Sequence, residues 1–247
     1  MRRRRLADPL LWAALLLAFL VLAMPALGPL FARAFPAVDP PIWSRESFLM
    51  LFLSHAGLVA ASSLASTVTA IVLGMFVTRP SGRDFRPLVD AVAAVGQAFP
   101  PAAVLAIAVP AVGFGPLPTL IALALYGLLP IVENAIAGLD GVPGAVREAA
   151  AGMGLSPLQM LRDVDLPLAA PVILAGIRTS VIINIGTATI GSTVGAVTLG
   201  TPIIDGLVAS KPAYVLQGAV VVGLFAIVAD MGFARLDRHL RRSAAGR

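Results

Sequence analysis

Three groups of residues in this chain have the types and spacing for chemistry. The first is His55 with Ser62, Ser63, Ser66 and Thr67, in the stretch SHAGLVAASSLAST. A hydroxyl nucleophile beside a histidine base begins a hydrolase site, but oxyanion donors and a third group must converge on it. His55 stands two turns from Ser62 and nothing supplies the third member, so close packing of small residues between helices explains the stretch better. The second group is the polar run Arg178, Thr179, Ser180, Asn184, Thr187, Thr189, Ser192 and Thr193. Polar groups are costly in lipid and must face other helices or an aqueous path. Asn184, Thr187 and Thr189 are the candidates for lining such a path. Interhelical hydrogen bonding, with Gly186, Gly191 and Gly195 permitting close approach, is the structural alternative. The third group is REAAAGMGLSPLQMLRDVDLP, Arg147 to Pro167, a charged interruption between two apolar segments. Its residue types suit contact with a partner and not bond-making.

Other chemistries are excluded or weak. There is no cysteine, and the two histidines, His55 and His239, are too far apart to suggest a metal site. The single lysine, Lys211, follows Ser210, so no phosphate-binding loop with a Gly-Lys-Ser/Thr core exists here. The expectation is no catalytic residue, no metal ligand and no cofactor; any ATP must be bound by another polypeptide. The net charge of +5 is carried by arginines at the ends of apolar runs, where they set membrane topology, and nucleic acid is not expected.

The elements that must position these groups are membrane spans. Of 247 residues, 58% are hydrophobic and 13% charged, about half the charge of a soluble domain. Six spans are predicted, at about 10–31, 50–77, 88–112, 117–138, 168–190 and 213–234. The basic start followed by an apolar run is shaped like a signal peptide. However, that run reaches the roughly 20 residues a span needs, beyond the about 7–15 of a cleavable core, and a retained first span is expected. Arg2 to Arg5, then Arg79, Arg83 and Arg86, then Arg147 and Arg162, then Arg235, Arg238, Arg241, Arg242 and Arg247 mark alternate loops and ends as basic. That alternation requires an even number of spans and places both termini in the cytoplasm. The closing RRSAAGR reads as a frayed tail. Glu133 and Arg178 fall at similar depths, where an ion pair between neighbouring spans is possible.

On this topology residues 139–167 form a long cytoplasmic loop, and loops of that length have structure or function of their own. GVPGAVREAAAGMG predicts a short helix begun by Pro143 and ended by Gly152 and Gly154. A second start follows: Ser156 as N-cap, Pro157 at the first helical position, Gln159 completing a capping box. Leu158, Leu161 and Val164 share helical spacing, and Leu166-Pro167 is expected to close the element before span five. The result is a helix-turn-helix elbow. Its apolar knobs suit a groove on a soluble partner; a plain connector is the alternative.

The residues also carry a resemblance. EAA, three residues, Gly154, nine residues, Val164, one residue and then Leu-Pro resembles the EAA loop of ABC importer permeases, with valine where isoleucine is usual. In that family the loop holds a coupling helix that docks in a cleft of a separate cytoplasmic ATPase. The resemblance therefore implies Glu148, Ala149, Ala150, Gly154, Leu166 and Pro167 as motif residues, Gly154 as the turn, and Leu155, Ser156, Pro157, Leu158 and Leu161 as the contact segment. LLPIVENAIAGLDGVPGAVREAA and NIGTATIGSTVGAVTLGTPIIDGL are similar to the permeases of glycine betaine, carnitine and choline importers.

The resemblance implies an all-α membrane protein of the type I ABC importer permease fold, a non-catalytic subunit forming the path for a small osmoprotectant. The expected organisation is an N-terminal segment and first span over 1–49, a permease core over 50–235 containing the loop 139–167, and a cytoplasmic tail over 236–247. Implied partners are cytoplasmic ABC ATPase subunits, a second permease subunit, an extracytoplasmic substrate-binding protein and the lipid of a bacterial inner membrane. Few Trp and Tyr residues are present, too few for a tight trimethylammonium cage, so selection falls to the binding protein. The rivals are a permease for amino acids such as methionine, a secondary transporter, which predicts an inverted repeat and intramembrane acids, and the hydrolase set aside above.

Overall fold

The computed structural model describes residues 8–245, and every element within them is helical. Arg2 to Arg5 and Arg247, used above for topology, lie outside the described residues, as do the side chains of Arg241 and Arg242. Helix α1 is Pro9–Ala34, begun by the Asp8 carboxylate accepting from Leu10 N and tightened at Met24–Leu27, where Pro25 removes a backbone donor. Helix α2 is Phe48–Val77. Helices α3, Arg86–Ala98, and α4, Pro101–Val112, follow, then α5, Pro116–Asp140. The short α6, Gly144–Gly152, precedes the long α7, Pro157–Val194; α8 is Thr201–Val208 and α9 Pro212–Ala245. Five of these elements are long and apolar enough to cross a membrane by themselves. Large apolar side chains such as Leu15, Leu22, Leu53 and Leu64 stand exposed along α1 and α2, as lipid-facing surfaces require.

The predicted third span is not one straight helix. Helices α3 and α4 meet at 96°. The cause is Phe99-Pro100-Pro101: a residue before proline is driven out of the helical region, and Phe99 and Pro100 take ψ of 136° and 137°. The bent pair makes a sixth crossing only if its two arms together serve as one. At the other end of the chain, α9 runs on to Ala245 in place of the expected frayed tail.

Two compact units are formed. One contains the chain up to Ser62 with Pro100–Leu123 and Ile182–Gly232; the other contains Ser63–Phe99, Ala124–Val181 and the chain from Phe233. In the first, Leu17, Val21 and Met24 of α1, Trp43, Leu51 of α2 and Val221 of α9 make the largest core. In the second, Ala70 and Val77 of α2 pack on Ile131, Val132 and Ile136 of α5, and Ala135 and Leu139 of α5 on Ala169 and Ile173 of α7. Small residues bring the helices close enough for dispersion to hold them where lipid supplies no hydrophobic force between helices. Glu133 is exposed and forms no ion pair with Arg178 among the described residues.

Candidate functional site: a charged elbow between two spans

The second unit carries the elbow. Pro143 takes the extended conformation of an N-cap (ψ 132°) and α6 starts directly after it. The helix ends at Gly152, and Gly154, with a φ of +83°, reverses the chain while the Leu155 N–H returns to the Ala150 carbonyl at 3.2 Å. Ser156 then accepts from Gln159 N, and Gln159 Oε1 accepts from Ser156 N at 2.8 Å, completing the capping box.

Leu166-Pro167 does not close this element, contrary to the expectation. Helix α7 continues through it into the apolar span. Met160–Asp165 widens into a π-helical turn, and Leu166 N bonds to Leu161 O. Proline at 167 lacks an N–H and its ring would strike the carbonyl four residues back; the wider turn before it relieves the conflict without ending the helix.

The same turn shifts helical phase and places Asp165 inward. Its side chain has no exposed surface, and each oxygen holds a guanidinium: Arg147 Nε at 2.8 Å from Oδ1 and Arg79 Nη2 at 2.8 Å from Oδ2. Arg147 also donates to the Leu139 carbonyl at 2.7 Å, in the last turn of α5, where a cation is favoured. A buried carboxylate is tolerable only when paired and bonded in this way. Asp165 thus ties the chain after α2 and α6 to α7, and Arg147 carries the tie on to the end of α5. Arg86 adds an exposed tie to Asp140 at 2.7 Å, worth little on its own.

Around that anchor the predicted residues divide. Glu148, Ala149, Gly154, Ser156, Pro157 and Pro167 are exposed, Leu155, Leu161 and Leu166 half-buried, and Ala150 buried. Met153 and Leu158 stand 74% and 73% exposed on either side of the turn. Leu161 and Val164, expected as knobs beside Leu158, are half-buried because the π turn rotates them away. Arg79, Asp165 and Met153 are functional candidates that spacing did not single out. Asp165 read as a polar residue near a helix end, and only the arrival of Arg79 from another segment explains its burial.

In the first unit three hydroxyls of the polar run bond to their own helix. Thr189 Oγ1 donates to Gly186 O at 2.7 Å, Ser192 to Thr189 O at 2.8 Å and Thr193 to Ile190 O at 2.7 Å. These i−3 bonds accompany the narrowing of Ala188–Val194 into a 3₁₀ helix. Asn184 is fully buried, while Thr187 and Thr189 are half-buried. His55 is fully buried: Nε2 lies 3.0 Å from Ile185 O, and Nδ1 accepts from Leu199 N at 3.3 Å. A tautomer with hydrogen on Nε2 satisfies both bonds, which leaves no lone pair to deprotonate Ser62. Ser62 itself donates to Val59 O at 3.1 Å.

Trp43 and Tyr214 of the first unit are likewise committed to internal bonds. Trp43 Nε1 donates to Asp205 at 2.9 Å, and Arg45 reaches the same carboxylate oxygen at 3.1 Å. Tyr214 donates to Pro40 O at 2.9 Å with Lys211 over its ring. Buried Gln217 accepts from Trp43 N and donates to Pro41 O, pinning the extended segment before α2. Among the described residues no cluster of His, Asp and Glu has the makings of a metal site.

Comparison with known proteins fits this geometry. Residues 70–242 match the family described as binding-protein-dependent transport system inner membrane component. The osmoprotectant import permease protein OsmY of Salmonella typhimurium is 39% identical over 196 residues, 79% of this chain and 83% of its own length. The choline transport system permease protein OpuBB of Bacillus subtilis is 39% identical over 180 residues, 70% of this chain and 83% of its own. Among solved structures, a chain of the inward-facing MetNI methionine ABC transporter superposes with a TM-score of 0.71 at 20% identity, covering 82% of this chain and 99% of that one. At that identity the likeness speaks for the fold.

Proposed function

This chain belongs to the family of binding-protein-dependent transport system inner membrane components, and from that membership we propose that it admits a small osmoprotectant of the glycine betaine, carnitine and choline class. It is a permease subunit with the fold of type I ABC importer permeases, and it is not itself an enzyme. Its spans, paired with those of a second permease subunit, line the path. ATP is bound and hydrolysed by cytoplasmic ATPase subunits, and an extracytoplasmic binding protein delivers the solute. Both termini and the elbow face the cytoplasm of a bacterial inner membrane, a placement supported by the clustering of arginines in alternate loops.

The observation that carries the coupling role is the elbow. Two large apolar side chains, Met153 and Leu158, project from a turn that an inflexible base supports. Apolar anchors on a fixed short helix suit a groove on a soluble partner. The relatives' names, osmoprotectant and choline permeases, support the substrate class. The commitment of Trp43 and Tyr214 to internal bonds supports a division of labour in which the permease binds weakly and the binding protein selects. Asn184, Thr187 and Thr189 are proposed to border the path. The test is uptake into proteoliposomes holding the full complex, with radiolabelled glycine betaine, carnitine, choline and methionine offered separately. ATP-dependent uptake of at least one quaternary ammonium solute, and none of methionine, is expected. Uptake of methionine alone would sink the substrate assignment.

A further inference from the structure

The carboxylate of Asp165 has no exposed surface, yet it sits where the elbow passes into a membrane span, and each of its oxygens is held at 2.8 Å by a different arginine. The two arginines come from separate places: Arg79 just after α2, and Arg147 from α6. Arg147 is also bonded to the carbonyl of Leu139 in the last turn of α5. Three chain segments therefore meet at the Asp165 carboxylate, and Arg147 links a fourth, the end of α5, to it. The π turn at Met160–Asp165 supplies the extra residue that rotates this carboxylate inward while the helix runs on. The docking knobs Met153 and Leu158, by contrast, make no use of it and project away.

We propose that Asp165 is the positioning residue for coupling: it fixes the elbow rigidly to the helix ends, so that a push on the elbow moves the spans in place of flexing the loop. This rests on the reading of the elbow as the ATPase-docking element. The short helix α6 is joined to α5 by residues 141–143 and to the start of α7 through the turn at Gly154, and both joints are free hinges unless something closes them. The two ion pairs close the base, and motion at the tip then has nowhere to go but into α5, α7 and the end of α2. Asp165 touches no partner in this scheme, so its loss is expected to spare docking and harm transmission.

The chain has no cysteine, so cysteines introduced at Ser81 and Ala151, both exposed, can be spin-labelled cleanly. The distance distribution between them is measured on the full chain in nanodiscs and again in the assembled complex. A narrow distribution, unchanged on ATP binding, is expected with the native triad, and a broad one in Asp165→Asn. In proteoliposomes the same variant should hydrolyse ATP and retain the ATPase, while solute moved per ATP falls by about two- to thirty-fold, the range of mutations along a coupling network. Arg79→Gln, at a partly exposed side chain, gives the same two readings if Asp165→Asn fails to fold. Asp165→Glu should recover part of the ratio. A narrow distribution in both the Asn and Gln variants, or an unchanged ratio of transport to hydrolysis, overturns the proposal. If the native complex binds no ATPase, the docking reading fails instead, and the label distances still decide whether Asp165 holds the elbow.

Discussion

Gly176 of α7 lies against Pro130 of α5 so closely that a Cβ on the glycine would stand 2.6 Å from the Pro130 carbonyl oxygen, and 2.7 Å from Asn134 Cβ. The neighbours are backbone and the root of a side chain, neither able to swing aside. Gly176→Ala should therefore lower stability by about 1–3 kcal/mol through overpacking, read as a fall in melting temperature in detergent. Gly186→Ala is the matched control. It meets nothing within 4 Å and should melt at or above the native temperature.

Local geometry of the elbow gives a second expectation. Gly154 holds φ +83° with open space where a Cβ would go, so Gly154→Ala meets only backbone strain, about 1–2 kcal/mol for a left-handed L-residue. Ser156→Ala removes the cap and should cost about 1 kcal/mol. Both should speed amide hydrogen exchange over residues 154–160 without changing the global melting temperature. A change confined to the spans would contradict this assignment of the turn.

Much of this was legible in the sequence because it depended on neighbours along the chain. The capping box at Ser156 and Gln159, the turn at Gly154 and five of the spans follow from local residue types, and the structure has them. What was not legible depends on tertiary arrival or on competition between local rules. The 96° bend needed weighing Pro100-Pro101 against an apolar run long enough to span. Leu166-Pro167 looked like a stop, but the π turn absorbs the proline and the helix continues. The burial of Asp165 depends on Arg79, distant in sequence, and no periodicity could announce it. Of the three glycines expected to permit close packing, Gly191 does so against Thr119, Gly195 instead serves a positive φ, and Gly186 is open.

Gln217 offers a third expectation. Its amide satisfies both Trp43 N–H and Pro41 C=O from a fully buried position. Gln217→Leu keeps the volume but strands two backbone groups, each costing about 1–3 kcal/mol. In a Trp12→Phe background, where Trp43 is the remaining tryptophan, its emission should shift to the red as the extended segment loosens. An unshifted spectrum and native melting temperature would show that water or other groups replace those bonds.

The hydrolase alternative makes its own demand. Ser62→Ala should leave transport unaffected, since His55 is bonded to the Ile185 and Leu199 backbone and is not poised as a base. His55→Ala should instead destabilise the first unit, seen as lower yield and melting temperature of the detergent-solubilised protein. Loss of transport in Ser62→Ala with a fully folded protein would reopen the catalytic reading.

The most direct test of the docking claim is co-purification of this chain with the proposed cytoplasmic ABC ATPase subunit, comparing the native sequence with Met153→Glu and Leu158→Glu. Both side chains are well exposed, so a charge there leaves the helical bundle folded, while a buried apolar anchor at an interface is worth more than about 1 kcal/mol. The expected result is ATPase retained by the native chain and lost from both variants, with unchanged melting of the membrane protein. ATPase retained at native levels by both variants, or absent from the native chain, would contradict the account.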